Sequence, residues 1–181
     1  LIDYAKQNNI DINQTSVRSV ICIGEPIRED DLSENVLAKR IHADWNVELF
    51  STYASTEMGA AFTECTAHQG GHLNEGLIYL EVLDDDGKDV PNGEKGEIVI
   101  STLGTEGTPL IRYKTGDVAR VYRDACPCGR TSPRVGPIIG RKNQMIKFKG
   151  TTIFPPSIYE IFDSRSEVSC YKIEVSKDYL G

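Results

Sequence analysis

The sequence predicts a mixed α/β plus β fold: the end of a parallel α/β sheet, a small antiparallel barrel-like β subdomain, and the start of an α+β C-terminal domain. Three observations predict it. A strand–helix–strand succession opens the chain of 181 residues, strand-forming segments with Asp-Gly and Asn-Gly turns follow, and a Pro- and Gly-rich passage precedes a last helical pattern. The predicted domains are residues 1–74, 75–139 and 140–181.

The α/β part begins with a predicted buried strand at 17–23, whose β-branched and apolar residues stop at Gly24-Glu25-Pro26. Apolar residues spaced for one helical face predict a helix over 29–45, with acidic residues at its start, where the helix dipole favours them. A second strand follows at 46–55. Because strand, helix and strand in succession form a parallel crossover unit, we expect the two strands to be neighbours at the edge of a sheet.

The β part alternates short strands and turns over 77–103, which predicts antiparallel hairpins. The segment 108–117 then has the pattern of a buried strand that ends in a turn carrying a carboxylate, Asp117. Two interpretations of this acid stay open at this point. One is an ordinary β-turn, in which Gly and Asp are common, and the other is a site that needs two rigidly held acceptors, as a ribose diol does.

The last part begins with a predicted linker over 132–144, which is rich in Pro and Gly. A helix is expected over 158–167, after two prolines, and a strand over 170–176. The chain lacks an initiator Met and opens within a helical pattern, so we expect it to be a piece of a longer protein.

Composition and charge argue against several classes of protein. The net charge of −7 and the pI of about 5.0 disfavour a nucleic-acid binder, which gathers Lys and Arg on one face. No apolar run approaches about eighteen residues and no signal peptide is recognisable, so no membrane partner is expected. Five cysteines, an odd number and clustered, favour metal chemistry in a reducing compartment and hence a cytoplasmic protein.

The second predicted strand leads into "STYASTEMG", at the carboxyl end of the sheet, where parallel sheets bind ligands. The hydroxyls of Ser55 and Thr56 can contact phosphate, the Glu57 carboxylate can hold Mg²⁺, and the Tyr53 ring can stack on a base. The alternative is the N-cap of a helix, in which Ser or Thr precedes an acid. At the same edge, Gly24 lets the backbone approach a flat ligand, although G-E-P alone is equally a plain loop.

Three cysteines and one histidine form a candidate metal site. Cys126 and Cys128 flank a proline in "CPCGR", and Cys65 lies shortly before two histidines. Three thiolates and one imidazole make a closed tetrahedral zinc site of the structural type. On the residues alone, either His72 or His68 can be the fourth ligand. A disulfide between the two cysteines of "CPCGR", or simply free thiols, are the alternatives.

Four motifs follow one another along the chain: G-E-P from Gly24, Y-x-S-T-E from Tyr53, Y-K-T-G-D from Tyr113 and G-R-K-N-Q-M-I-K from Gly140. In this order they resemble the adenylate-forming enzymes, the superfamily of acyl-CoA ligases, luciferases and nonribosomal adenylation domains. The segments "STLGTEGTPLIRYKTGD", "CPCGR" and "IGRKNQMIKFKGTTIFPPSIYE" are most similar to the phenylacetate–CoA ligase family. The resemblance covers nearly the whole chain.

The resemblance implies a role for each motif residue. Thr56 would contact the α-phosphate and Glu57 would hold Mg²⁺, which makes them the expected catalytic residues. Asp117 would accept hydrogen bonds from both ribose hydroxyls. The adenine would lie between the G-E-P residues and the Tyr53 ring. The implied nucleotide-binding set is Gly24, Glu25, Pro26, Tyr53, Ala54, Ser55, Thr56, Asp117, Arg141 and Lys149.

The resemblance also implies a hinge after Arg141, about which the C-terminal domain rotates. At the hinge position the family commonly has Asp, and this chain has Asn143; an ordinary exposed linker is the alternative. Lys149 would belong to a loop that reaches the active site after this rotation. The alternative is that Lys149 is a solvated surface cation. The phosphate loop and the late catalytic lysine of the family would lie outside this stretch, so we expect the isolated chain to be inactive.

The implied function is that of an ATP-dependent aryl acid–CoA ligase, above all phenylacetate–CoA ligase, which uses Mg²⁺ and carries structural Zn²⁺. Its expected partners are a small aromatic carboxylic acid, ATP and coenzyme A, and a homodimer is compatible with the sequence.

The resemblance favours Cys65, His72, Cys126 and Cys128 as zinc ligands, because some members of the family share the spacing of the first two. The alternatives are a non-catalytic zinc-stabilised binding module and an adenylating enzyme whose acceptor is not CoA.

Overall fold

A computed structural model describes residues 1–148, 151–163, 165 and 167–174 of the chain. The helices of these residues are α1 (Ile2–Gln7), α2 (Val36–Asp44) and α3 (Pro155–Asp163). The strands of the same residues are β1 (Ser19–Ile23), β2 (Glu48–Ala54), β3 (Ala61–Thr63), β4 (Gly71–His72), β5 (Ile78–Leu83), β6 (Lys95–Thr102), β7 (Tyr113–Tyr122), β8 (Arg134–Val135), β9 (Gly140–Arg141), β10 (Ile146–Phe148) and β11 (Thr151–Ile153). The predicted combination of a parallel unit with an antiparallel continuation is confirmed.

The parallel unit lies at the N-terminal end of the sheet. β1 and β2 pair in parallel, from Ser19 opposite Glu48 to Ile23 opposite Thr52, and α2 is the crossover between them. The prediction of a buried strand is wrong for one face of β1, because Ile21 and Ile23 are 64% and 63% exposed. Only the other face of the strand packs on the core.

The crossover helix is shorter than predicted. It begins at Val36, and Leu32, inside the predicted helix, has a φ of +72°, a left-handed conformation that an α-helix excludes. The Asn35 side chain accepts a hydrogen bond from the backbone N–H of Ala38 and caps the helix. An amide therefore satisfies the first turn, whereas the predicted acidic residues lie in the loop before it.

The strands after β2 extend the same sheet in antiparallel pairs. Within the described residues the hydrogen-bonded order is β1-β2-β3-β4-β8-β7-β6-β5, with β9 paired to β7, while β10 and β11 form a separate hairpin. The core under these strands includes the buried residues Phe62, Ile98, Ile100 and Ala119. The predicted antiparallel hairpins are confirmed. The barrel-like closure and the domain boundaries after residues 74 and 139 stay predictions.

The sequence predicted that Asp117 lies in a turn at the end of a strand. In the structure it lies within strand β7. The strand begins at Tyr113 and not at Leu110, and Arg112 just before it has a left-handed φ of +48°. Gly116 has a φ of +77°, and the register between β6 and β7 shifts at this point. This irregularity is a β-bulge, which commonly re-aims a side chain next to a functional site.

The C-terminal part departs further from the predictions. The predicted linker over 132–144 contains β8 and β9, which both pair with β7, because its prolines fall outside the paired residues. Of residues 170–176, predicted as a strand, 170–174 have no regular structure and the other two lie outside the described residues. The helix predicted over 158–167 is confirmed as α3, but it begins at the two prolines, with Pro155, and ends at Asp163. No helix in the part of the chain that the structure describes has the length and apolar character needed to cross a bilayer.

Candidate nucleotide-binding cleft and metal centre

The predicted nucleotide-binding segments converge on one cleft of about 360 Å³. It lies between the loop after β1, the end of β2, the bulge of β7 and strand β9. The predicted residues that line it are Gly24, Glu25, Pro26, Tyr53, Ala54, Ser55, Asp117 and Arg141. Segments that are far apart along the chain therefore share one concave surface.

The Asp117 carboxylate is the polar centre of the cleft. It is 6% exposed, and its two oxygens have different donors. The Tyr53 hydroxyl donates to Oδ2 at 2.7 Å, and Arg141 Nε donates to Oδ1 at 3.1 Å. Because an ionised carboxylate offers about four acceptor sites, these two bonds leave capacity for the hydroxyls of a ligand.

Tyr53 connects the cleft wall to the hydrophobic core. Its ring stacks on Phe62 with 5.8 Å between the ring centroids. Burial, and then the neighbouring Asp117 carboxylate, raise the pKa of Tyr53 above its ordinary value. The hydroxyl therefore stays protonated at neutral pH, donates to Asp117 and orients the carboxylate. Stacking of this ring on a base remains a prediction.

Among the described residues, two of the predicted nucleotide-site residues do not line the cleft. Thr56 and Glu57 are exposed in the turn between β2 and β3, directly after Ser55, which does line it. Because this turn leads into an antiparallel strand, the interpretation as a helix N-cap is wrong. Lys149 lies outside the described residues.

A further part of the cleft lining was not predicted. Its residues come from the loop before β4 and from the Pro- and Gly-rich passage: Glu64, Gly70, Gly71, Val135, Gly136, Pro137 and Ile138. The adjacent glycines Gly70 and Gly71 were the sequence signal that could have indicated this part of the lining. A Cβ atom on Gly71 would lie 2.4 Å from the carbonyl oxygen of Phe62, so only glycine lets these two strands approach so closely.

The predicted metal ligands Cys65, His72, Cys126 and Cys128 come together. Their donor atoms all lie within 4.8 Å of one another. Cys65 Sγ is 3.6 Å from Cys126 Sγ, and Cys128 Sγ is 3.5 Å from His72 Nε2. A tetrahedral zinc ion at about 2.3 Å from sulfur and about 2.1 Å from nitrogen would separate such donors by roughly 3.8 and 3.6 Å. The cluster therefore already has the size of a zinc site.

Two of the alternatives for these residues are wrong. His68 is oriented away from the thiols: its Nδ1 lies 2.9 Å from Arg28 Nη2 and its Nε2 lies 3.4 Å from Glu48 Oε1. Cys126 and Cys128 are both free thiols, so the disulfide of the alternative interpretation is not formed. The histidine of the cluster is therefore His72.

A buried arginine joins the two loops that carry the metal ligands. Arg134 donates to the carbonyl oxygen of Gln69 at 2.7 Å and to that of Asp124 at 3.0 Å. On the ligand itself, His72 Nδ1 lies 3.0 Å from Ser132 Oγ, which leaves Nε2 facing the thiols. Sequence reasoning missed this support, because an isolated arginine in a strand carries no recognisable pattern.

Curated proteins similar to this chain share one name. The phenylacetate–coenzyme A ligase of Thermus thermophilus is 30% identical over 98% of this chain, and that of Escherichia coli is 28% identical over 78% of it. The chain spans 40% and 33% of the length of these two proteins. No family model matches the sequence.

Solved structures agree with this similarity. A 2-hydroxyisobutyryl-CoA ligase in complex with an acyl-AMP matches 91% of this chain, with a TM-score of 0.75 and 26% identity, over 35% of its own chain. The O-succinylbenzoate coenzyme A synthetase of Bacillus subtilis matches 89% of this chain over 34% of its own, with a TM-score of 0.58 at 17% identity, and so shares the fold. The fold is that of the adenylate-forming CoA ligases. Within this class, the resemblance of the chain to the phenylacetate–CoA ligase family is confirmed.

Proposed function

We propose that the chain is the nucleotide-binding part of an ATP-dependent aryl acid–CoA ligase, with phenylacetate as its first candidate substrate. The full-length protein would join the carboxylate to AMP with release of pyrophosphate, and would then transfer the acyl group from AMP to the thiol of CoA. The names of the similar proteins support this reaction. The observation that carries the proposal is the convergence of the four motifs on one cleft around Asp117.

The cleft residues suit a nucleoside. Asp117 is a buried carboxylate with acceptor capacity left, which is what a ribose diol requires. Gly24 has a φ of +83° and open space where a Cβ atom would lie, so its backbone offers a flat wall to adenine. The Arg141 side chain is 61% exposed and leaves its guanidinium accessible to a ribose or phosphate oxygen.

We assign the phosphate end of the nucleotide to the turn after β2. Thr56 would contact the α-phosphate and Glu57 would hold Mg²⁺, since both are exposed and follow directly on Ser55 at the cleft edge. Carboxylate oxygens are ligands that Mg²⁺ prefers, and the bound ion would neutralise charge on the phosphates. Lys149 keeps its proposed role on the resemblance alone.

We also propose that the cysteine–histidine cluster holds a structural Zn²⁺. The donor separations support this, and a site with four protein ligands has no open position for water. The metal would join the loop after β3 to the loop after β7 and take no part in the reaction. Thiolate ligands require reduced cysteines, which supports a cytoplasmic location.

The test is a screen of aryl acids on the full-length protein, with AMP, pyrophosphate and acyl-CoA measured with and without CoA. We expect multiple-turnover AMP release with phenylacetate or a related acid only when CoA is present. CoA-independent turnover would point to an adenylating enzyme with another acceptor. No ATP binding and no pyrophosphate release with any acid would favour a zinc-stabilised binding module.

A further inference from the structure

A buried ion pair lies directly behind the cleft and belongs to none of the four motifs. Arg28 and Glu64 are each 7% exposed, and Arg28 Nε lies 3.2 Å from Glu64 Oε1. Arg28 comes shortly after the G-E-P loop, and Glu64 borders the cleft. We propose that Arg28 and Glu64 are positioning residues that fix the G-E-P loop against the cleft floor and thereby set the affinity for ATP. The inference rests on the proposed function of the cleft as an ATP site.

Both charged groups hold the backbone of β2. Glu64 Oε2 accepts a 3.0 Å hydrogen bond from the backbone N–H of Ser51, which lines the cleft. Arg28 Nη2 donates to the carbonyl oxygen of Leu49 at 3.0 Å. The chain segment that leaves the G-E-P loop is therefore tied through side chains to the strand that forms the cleft floor.

The other side of the loop is held by the cap of α2. Asn35 Nδ2 donates to the carbonyl oxygen of Pro26 at 2.8 Å. The backbone N–H of Asn35 donates to the carbonyl oxygen of Ile27 at 3.1 Å. Ile27 itself is fully buried. The G-E-P loop is thus bound to α2 through the Asn35 amide and to β2 through the ion pair of Arg28 and Glu64.

Stability alone does not explain a buried ion pair at this position. Replacing such a pair by apolar residues is often neutral or stabilising, because the two charges must be desolvated. Fixed placement of a binding wall does explain it, because a wall that is already ordered spares the ligand the free-energy cost of ordering it. Among the described residues, Glu34, at 3.5 Å, and His68, at 2.9 Å, also contact Arg28, and the Cys22 thiol lies close enough to interact electrostatically with it.

The test compares Glu64→Gln, Arg28→Met and the double variant in the full-length protein. Each single variant leaves a buried group without its partner, so we expect a lower thermal midpoint together with weaker ATP binding. The double variant removes both charges of the buried pair, and its thermal midpoint should return towards that of the wild type. Its KM for ATP should stay raised by about tenfold with kcat within about twofold, because the loop faces the base and not the reacting phosphate.

Arg123→Met is the matched control. Arg123 forms an ion pair with Asp89 at 2.7 Å, and neither residue lines the cleft, so this variant should leave the KM for ATP unchanged. Recovery of the KM together with the thermal midpoint in the double variant would overturn the proposal and make the pair purely structural.

Hydrogen–deuterium exchange of residues 24–28 in the nucleotide-free protein distinguishes this proposal from the proposed function. Faster exchange in the double variant supports the positioning role even in a protein that binds no ATP. Unchanged exchange would overturn the positioning role even in a protein that is an active ligase.

Discussion

Asp117 combines burial with a fixed orientation. The Tyr53 hydroxyl and the Arg141 guanidinium each hold one of its oxygens, and the bulge at Gly116 directs the side chain into the cleft. A carboxylate held in this way presents its remaining acceptor sites to a ligand without reorganising. Its contribution to nucleotide binding should therefore be large for a single residue.

Asp117→Asn in the full-length protein should raise the KM for ATP by roughly 10- to 100-fold, the equivalent of one or two hydrogen bonds to a charged group. The amide keeps one acceptor oxygen, but its NH₂ group would face the donor of Tyr53 or Arg141. Steady-state kinetics measures the change, with Asp89→Asn as control. A KM within twofold of the wild type would contradict the assignment of Asp117 to the ribose.

The sequence alone predicted those cleft residues that lie at the end of a strand or beside a glycine. Gly24 and Tyr53 have such positions. The hydrogen bond between Tyr53 and Asp117 was not predictable, because it depends on a bulge that brings together residues far apart in the chain. Arg28 and Glu64 were missed for the same reason: a buried ion pair has no local pattern.

At the scale of secondary-structure elements, the pairing of β3 with β4 depends on Gly71. Gly71→Ala would place a Cβ atom 2.4 Å from the backbone carbonyl oxygen of Phe62, which cannot move aside as a flexible side chain can. We expect a loss of about 1–3 kcal/mol in the free energy of unfolding, as for other overpacked sites. Urea denaturation measures it. Gly107→Ala, which meets no atom within 4 Å, is the control, and equal midpoints for the two variants would refute this prediction.

Periodicity predicted the type of most elements better than their ends. The parallel pairing of β1 and β2 follows from the order of strand and helix, and it was correct. The start of α2 was wrong because residues with good helical spacing form a loop that includes the left-handed Leu32. Strands β8 and β9 were missed because each has only two residues, β8 between Pro133 and Gly136 and β9 beginning with Gly140, so tertiary pairing decides their conformation.

At the scale of the whole molecule, the cysteine–histidine cluster joins the first predicted domain to the second. Cys65 and His72 come from the first, and Cys126 and Cys128 come from the second. Purified protein should contain about one zinc ion per chain, and Cys126→Ser should lose it, together with about 5 °C or more of thermal midpoint. Elemental analysis and thermal denaturation measure these two quantities.

The exposed Cys170 provides the control for this experiment, because it lies outside the cluster. Cys170→Ser should keep both the metal and the thermal midpoint. Wild-type protein that is free of zinc when its three cluster cysteines are reduced and His72 is intact would show that the cluster holds no metal.

The cleft draws its walls from the loop after β1 and from strands β2, β7 and β9, which lie far apart along the chain. Loop-closure entropy must be overcome before such distant segments meet, so contacts of this kind form late during folding. A refolding chain will acquire its strands and its local hairpins first, and the complete cleft only at the end. On the proposed function, a nucleotide added during refolding should stabilise only molecules whose cleft is complete.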